Sequence, residues 1–100
     1  MIERLTLRND NLLLEVVPQL GGGLARLDWL GGAVPEPLLR ALPADFAGIP
    51  TPGQLACFPL LPWSNRMAPS GFVFEGRRYV PAPNRVGEPC PIHGDGWQQE

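Results

Sequence analysis

Prolines and glycines interrupt this chain so often that no stretch of more than a few residues sustains a helical period. Thirteen prolines and twelve glycines fall among one hundred residues, a share at the edge of low-complexity composition. Yet leucine, isoleucine, valine and phenylalanine make up more than a quarter of the chain, which is above the range of disordered sequences. The two facts fit one description: an ordered, turn-rich, all-β chain of short strands and many loops. Its length suits one small domain with a modest core.

Taken in order, residues 2–7 read as a short strand, with Ile2, Arg4 and Thr6 facing one way and Glu3, Leu5 and Leu7 the other. Asn9-Asp10-Asn11 is turn chemistry, because these side chains tolerate left-handed backbone and bond locally. Leu12–Val17 forms the second arm of a hairpin, ended by Pro18, which has no amide proton for a ladder. Gly21-Gly22-Gly23 superficially suggests a phosphate loop. No Gly-Lys-Ser/Thr sequel and no helical pattern follow, so a tight bend entering a strand is the reading. In that strand Ala25, Leu27 and Trp29 alternate with Arg26 and Asp28, which predicts a buried apolar face and a wet polar one.

Residues 33–54 contain five prolines and read mostly as loop, with 38–42 a brief strand or a single helical turn. Phe72-Val73-Phe74 and Arg77–Val80 flank Glu75-Gly76, a spacing that predicts a hairpin. Phe72 and Phe74 share a face and are expected in the core. Residues 81–91 hold four prolines and form another irregular loop. The chain stops at Trp97-Gln98-Gln99-Glu100 with no closing strand, so it reads as an incomplete portion of a larger β structure.

A net charge of -2, with every positive charge an arginine, gives no electrostatic footprint for nucleic acid or an anionic membrane. No apolar run reaches spanning length, and Met1-Ile2-Glu3-Arg4 lacks a signal-peptide core. Cys57 and Cys90 are too few for a disulfide framework, so a reduced cytoplasmic protein is the expectation.

Two stretches carry the polar chemistry. The first, Leu60–Ala68, sets Ser64-Asn65-Arg66 directly after an apolar, proline-bounded run. Arg66 is either a surface ion-pair partner or a ligand clamp. Its guanidinium offers five donors in a fixed fork, suited to vicinal hydroxyls or a carboxylate. Asn65 donates and accepts at once, as reading a hydroxyl requires. The second stretch, Pro91–Trp97, contains His93, the only histidine. It stands before a glycine where backbone can approach something closely. A lone histidine is more often structural than ligand-binding, but a loop position favours a site. Trp63 and Trp97 could face a pyranose ring or simply fill a core. Cys57, Cys90 and His93 do not meet a zinc spacing, and Pro59-Leu60-Leu61-Pro62 reads as a buried segment rather than a Pro-x-x-Pro ligand. No serine, histidine and acid arrangement is recognisable.

Phe58–Ala68, then Phe72–Tyr79, then Asn84, then Ile92-His93-Gly94 resemble the N-terminal part of aldose 1-epimerases, the galactose mutarotases. Val17-Pro18-Gln19-Leu20-Gly21-Gly22 before a strand is similar too, so the resemblance runs along nearly the whole chain. An Asn-Arg pair and a His-Gly pair, in this order around a Phe-x-Phe-x-Gly hairpin, are its most specific part. The resemblance implies a large antiparallel β-sandwich of the galactose mutarotase-like supersandwich type, of which residues 1–100 are the N-terminal part of a single domain. It implies a free aldohexose as substrate, no cofactor and no metal. It also implies that Asn65, Arg66 and His93 bind the sugar.

In that family a glutamate acts as general base on the anomeric hydroxyl, and a second histidine acts as general acid on the ring oxygen. This chain has no second histidine, and Glu75, Glu88 and Glu100 do not stand in the matching context. No catalytic residue is therefore assigned within it. Two other readings are a non-catalytic carbohydrate-binding module on the same scaffold and a hexose 6-phosphate 1-epimerase relative. The latter needs cations such as Arg77, Arg78 and Arg85 near the site.

Overall fold

A computed structural model describes residues 2–99. The chain divides into two compact units, Met1–Pro59 with Trp97–Glu100, and Leu60–Gly96. Glu100 lies outside the described residues. All pairing is antiparallel, in one four-stranded and one two-stranded sheet. No helix among the described residues is long and apolar enough to cross a membrane.

The first unit is built on β1 (Leu5–Arg8), β2 (Leu12–Val17), β3 (Gly23–Trp29) and β4 (Glu36–Pro37), in that spatial order. The β1–β2 turn closes as the sequence predicts. The Asn9 side-chain oxygen accepts from the amides of Asn11 and Leu12 at 2.9 and 2.8 Å. After Pro18 the chain makes one 3-10 turn, Pro18–Leu20. It then bends through Gly21 and Gly22, both at positive φ, a region that glycine enters without penalty.

Strand β3 does not keep the predicted faces. The register shifts between Glu15 and Val16, so that Leu24 pairs with Val16 while Arg26 pairs with Glu15. Ala25 is the extra residue of this bulge and is fully buried with Val17, Leu20, Leu42 and Leu55. Beyond the bulge the expected pattern is reversed: Asp28 is 1% exposed and Trp29 41%.

The reversal has a physical cause. Arg26 and Asp28, two apart on one strand, share a face, and the guanidinium holds the Asp28 carboxylate through Nε at 2.7 Å and Nη2 at 2.6 Å. That bond raises the pKa of Arg26 further above its ordinary value. Glu15, opposite Arg26, accepts from Arg4 at 3.0 Å. Arg4 also donates to the carbonyls of Leu42 and Pro43. The proline-rich segment is thus tied down over a charged row, and a paired carboxylate tolerates the burial that an isolated one would not.

The opposite face of the same sheet is apolar and wet. Directly paired residues share a face, which places Leu5, Leu7, Leu14, Val16 and Leu27 together, with Leu12 opposite Trp29. Leu7 is 61% exposed.

The 38–42 segment is neither a strand nor a helical turn. The short strand lies just before it, at β4, and 38–42 runs beside β3 through Leu38 N–H to Leu27 O at 2.8 Å and Leu42 N–H to Ala25 O at 2.7 Å. Proline spacing limits the ladder to these isolated bonds. A 3-10 turn at Pro52–Gln54, capped by Thr51, leads to buried Leu55.

In the second unit β5 (Phe72–Phe74) and β6 (Arg77–Tyr79) form the predicted hairpin. Glu75 and Gly76 both have positive φ, as a two-residue turn matched to strand twist requires. The expectation that Phe72 and Phe74 are core is overturned: both are exposed. Phe72 stacks instead on its cross-strand partner Tyr79, with centroids 5.3 Å apart.

Leu42 fills the space between β3 and the segment that Arg4 anchors. Leu42→Ala is expected to lower unfolding stability by about 2–5 kcal/mol, the range for emptying a buried leucine site. Chemical denaturation of the two proteins measures it.

Candidate functional site

The two polar stretches singled out in the sequence meet in the second unit. Residues 65–67 and 91–93 run antiparallel as a single bridge, Arg66 opposite Ile92. The His93 amide donates to the Asn65 carbonyl at 3.0 Å and the Met67 amide to the Pro91 carbonyl at 2.9 Å. Pro91 and Ile92 are buried, whereas Asn65 and Arg66 are exposed and His93 is half-buried. Pro91 and Ile92 anchor the second stretch, whereas in the first Leu60, Trp63 and Met67 are half-buried and Leu61 is 59% exposed, so Pro59–Pro62 is not the buried segment expected from the sequence.

His93 has a φ of 62°. Left-handed backbone is uncommon for a residue with a side chain, and in a loop it marks a constrained position. Its Nδ1 lies 3.3 Å from the Ser64 carbonyl oxygen. A carbonyl only accepts, so a hydrogen bond at this contact requires the ring proton on Nδ1. Gly94 follows, also at positive φ, and a Cβ there would run into the carbonyl of Leu61. The close approach that the His-Gly sequence suggested is therefore an approach of backbone to backbone. Gly96 N–H adds a 3.0 Å bond to the same carbonyl.

Asn65 and Arg66 are oriented by their own surroundings. The Asn65 side-chain oxygen accepts from the Arg66 amide at 2.8 Å, which fixes the side-chain plane. The Arg66 Nε donates to Glu88 at 2.9 Å. Among the described residues its two terminal amino groups make no hydrogen bond, and the side chain is 52% exposed. The ion-pair reading of Arg66 is met at Nε. Glu88 also accepts from the Cys90 amide. The Arg66 bond, and then the Cys90 bond, hold its carboxyl below the usual glutamate range. Glu88 has no proton-moving geometry here, but it is the residue that aims Arg66. Sequence reasoning passed over that role, because a glutamate 22 positions away in an irregular loop leaves no periodic signal.

Asn84 is the other residue whose role the sequence does not reveal. Its side-chain oxygen accepts from the Ile92 amide at 2.8 Å, and its nitrogen reaches the carbonyls of Ile92 and Gly94 at 2.8 Å and the carboxylate of Asp95 at 3.0 Å.

The remaining sequence candidates separate. Trp63 is half-buried, and its indole nitrogen is buried without a hydrogen-bond partner among the described residues. Trp97 belongs to the first unit, where its ring lies 6.1 Å from Phe58. Arg77 lies over the Tyr79 ring and Arg78 donates to the Ser70 carbonyl, so both have local work. Arg85 and Glu88 are joined by their backbones, the Glu88 amide donating to the Arg85 carbonyl at 3.1 Å. Among the described residues no three histidine, cysteine or acidic side chains gather as a metal site.

The aldose 1-epimerase family model matches residues 3–100. An uncharacterized Escherichia coli K12 protein, YphB, is 38% identical over 95 residues, which is 95% of this chain and 30% of that protein. A crystal structure from Escherichia coli K12 with a provisional aldose 1-epimerase name superposes with a TM-score of 0.78 at 34% identity. It covers 100% of this chain and 31% of its own. The chain therefore spans about a third of the length of these relatives, and its antiparallel all-β fold is the one found there. It belongs to the aldose 1-epimerase family.

Proposed function

We propose that this chain supplies the sugar-holding part of an aldose 1-epimerase, which interconverts the α and β anomers of free aldohexoses by acid–base ring opening. The observation that supports the reading is the bridge between 65–67 and 91–93, which joins the backbones of the two stretches that carry Asn65, Arg66 and His93. Arg66 offers its terminal amino groups to two neighbouring hydroxyls, a match of fork to diol. Asn65 adds a donor from its amide nitrogen, and His93 adds an aromatic edge with an acceptor at Nε2.

These groups hold and orient the ring. The proton transfers need a base at the anomeric hydroxyl and an acid at the ring oxygen, each with a tuned pKa. In this proposal both come from polypeptide beyond these hundred residues. Residues 1–100 are then one part of a single mutarotase-like β-sandwich domain. The wet apolar face of the four-stranded sheet supports that view, since a contiguous exposed patch of large aliphatic side chains marks a packing surface. The local contacts of Arg77 and Arg78 argue for a free sugar over a sugar phosphate.

Two measurements follow. Titration calorimetry with galactose and glucose should give binding that Arg66→Ala and His93→Ala each weaken about tenfold or more. That is the effect of losing hydrogen bonds to a charged or well-placed group. Polarimetry on freshly dissolved α-glucose should show no acceleration by the hundred-residue chain, and an acceleration abolished by His93→Ala would contradict the division of labour.

A pH titration is a separate test. Glu88 is depressed, so its contribution to stability is complete above its ordinary value of 4.5 and is lost as pH falls through the lower folded value. The Glu88 carboxyl carbon followed by NMR should titrate below the ordinary range. Arg66→Ala should move its midpoint up.

A further inference from the structure

The geometry points to Asn84 as the positioning residue that holds His93 in its Nδ1–H tautomer, an inference that rests on the sugar-binding reading of His93. In an antiparallel pair, alternate residues aim their amide groups to opposite sides. Pro91 and His93 bond to the 65–67 segment, so the amide and carbonyl of Ile92 point away from it. Ile92 is buried, and a buried backbone pair left without partners is costly.

Asn84 answers both groups with one side chain. Its Oδ1 accepts from Ile92 N–H and its Nδ2 donates to Ile92 O, which is what a neighbouring strand would do. The same Nδ2 then reaches past His93 to Gly94 O and Asp95 Oδ1. His93 is therefore spanned: the residue before it and the residue after it are tied to a single amide. An asparagine side chain carries a donor and an acceptor on one rigid amide plane. The proline-rich loop 81–91 is the scaffold that delivers it.

The consequence falls on the imidazole. The left-handed backbone of His93 holds only while its flanks are fixed. That conformation lays Nδ1 against the Ser64 carbonyl. Without the Asn84 clamp the loop relaxes toward negative φ and the ring leaves Ser64. The proton then redistributes between the two nitrogens, because the tautomer is set by the bond the ring makes. A sugar-binding histidine with the wrong tautomer offers a donor where an acceptor belongs. Asn84 touches no substrate in this account and acts only through His93.

The test uses the full chain without sugar, so its outcome is independent of whether the site takes a sugar. His93 is the only histidine, so long-range nitrogen–proton NMR of the imidazole reports it alone. In alkaline buffer the native protein should show the Nδ1–H signature. Asn84→Ala should lose it to a mixture of tautomers, while Ser64→Ala, which keeps the backbone carbonyl, should retain it. A folded Asn84→Ala protein with an unchanged Nδ1–H signature overturns the inference. A native protein that shows the Nε2–H form overturns it equally, and that reading does not depend on whether the variant folds.

Discussion

Two backbone hydrogen bonds, from His93 to Asn65 and from Met67 to Pro91, carry the functional meaning of the second unit. They join segments nearly thirty residues apart and fix which side chains stand together. Closing a loop of that length costs entropy that grows only slowly with its size, so a few well-placed bonds and buried apolar anchors can hold it. Pro91 and Ile92 are the anchors on one side. Glu88, Asn84 and the Ser64 carbonyl then orient the polar residues from behind. Asn65 and Arg66 are exposed and His93 half-buried, with Glu88 bonded to Arg66 and the Ser64 carbonyl against the His93 ring.

The first unit works on a different principle. Its sheet has one face covered by a proline-rich segment and one left apolar and wet. The covered face is the charged one: Arg4 pairs with Glu15 and Arg26 with Asp28, and Arg4 holds the covering segment, while Asp28 Oδ1 is buried without a hydrogen-bond partner among the described residues. Pairing makes the burial tolerable and does not make it strongly favourable. The aliphatic core of Val17, Leu20, Ala25, Leu42 and Leu55 supplies the driving force.

Much of this was legible in the residues. Asn9 and Asn11 announced the β1–β2 turn because asparagine bonds its own backbone, and Glu75-Gly76 announced the second hairpin because two residues set its turn type. The family resemblance implied a joint role for Asn65, Arg66 and His93, but the pairing of 65–67 with 91–93 was not legible, since no local period predicts a long-range bridge. The faces of β3 were not legible. A one-residue bulge at Ala25 inverts what alternation predicts, and bulges leave little trace in composition. Phe72 and Phe74 misled for a related reason: aromatic residues on a hairpin can satisfy each other across strands. The roles of Glu88 and Asn84 depend on loops whose course proline spacing does not specify.

The account stands on the bridge between the two segments, and that bridge can be read directly. Scalar couplings across hydrogen bonds, measured by NMR on isotope-labelled protein, connect an amide nitrogen to the carbonyl carbon that accepts its proton. A coupling from His93 nitrogen to the Asn65 carbonyl, with another from Met67 nitrogen to the Pro91 carbonyl, is the predicted result. Rapid solvent exchange of both amides, with neither coupling present, would contradict it.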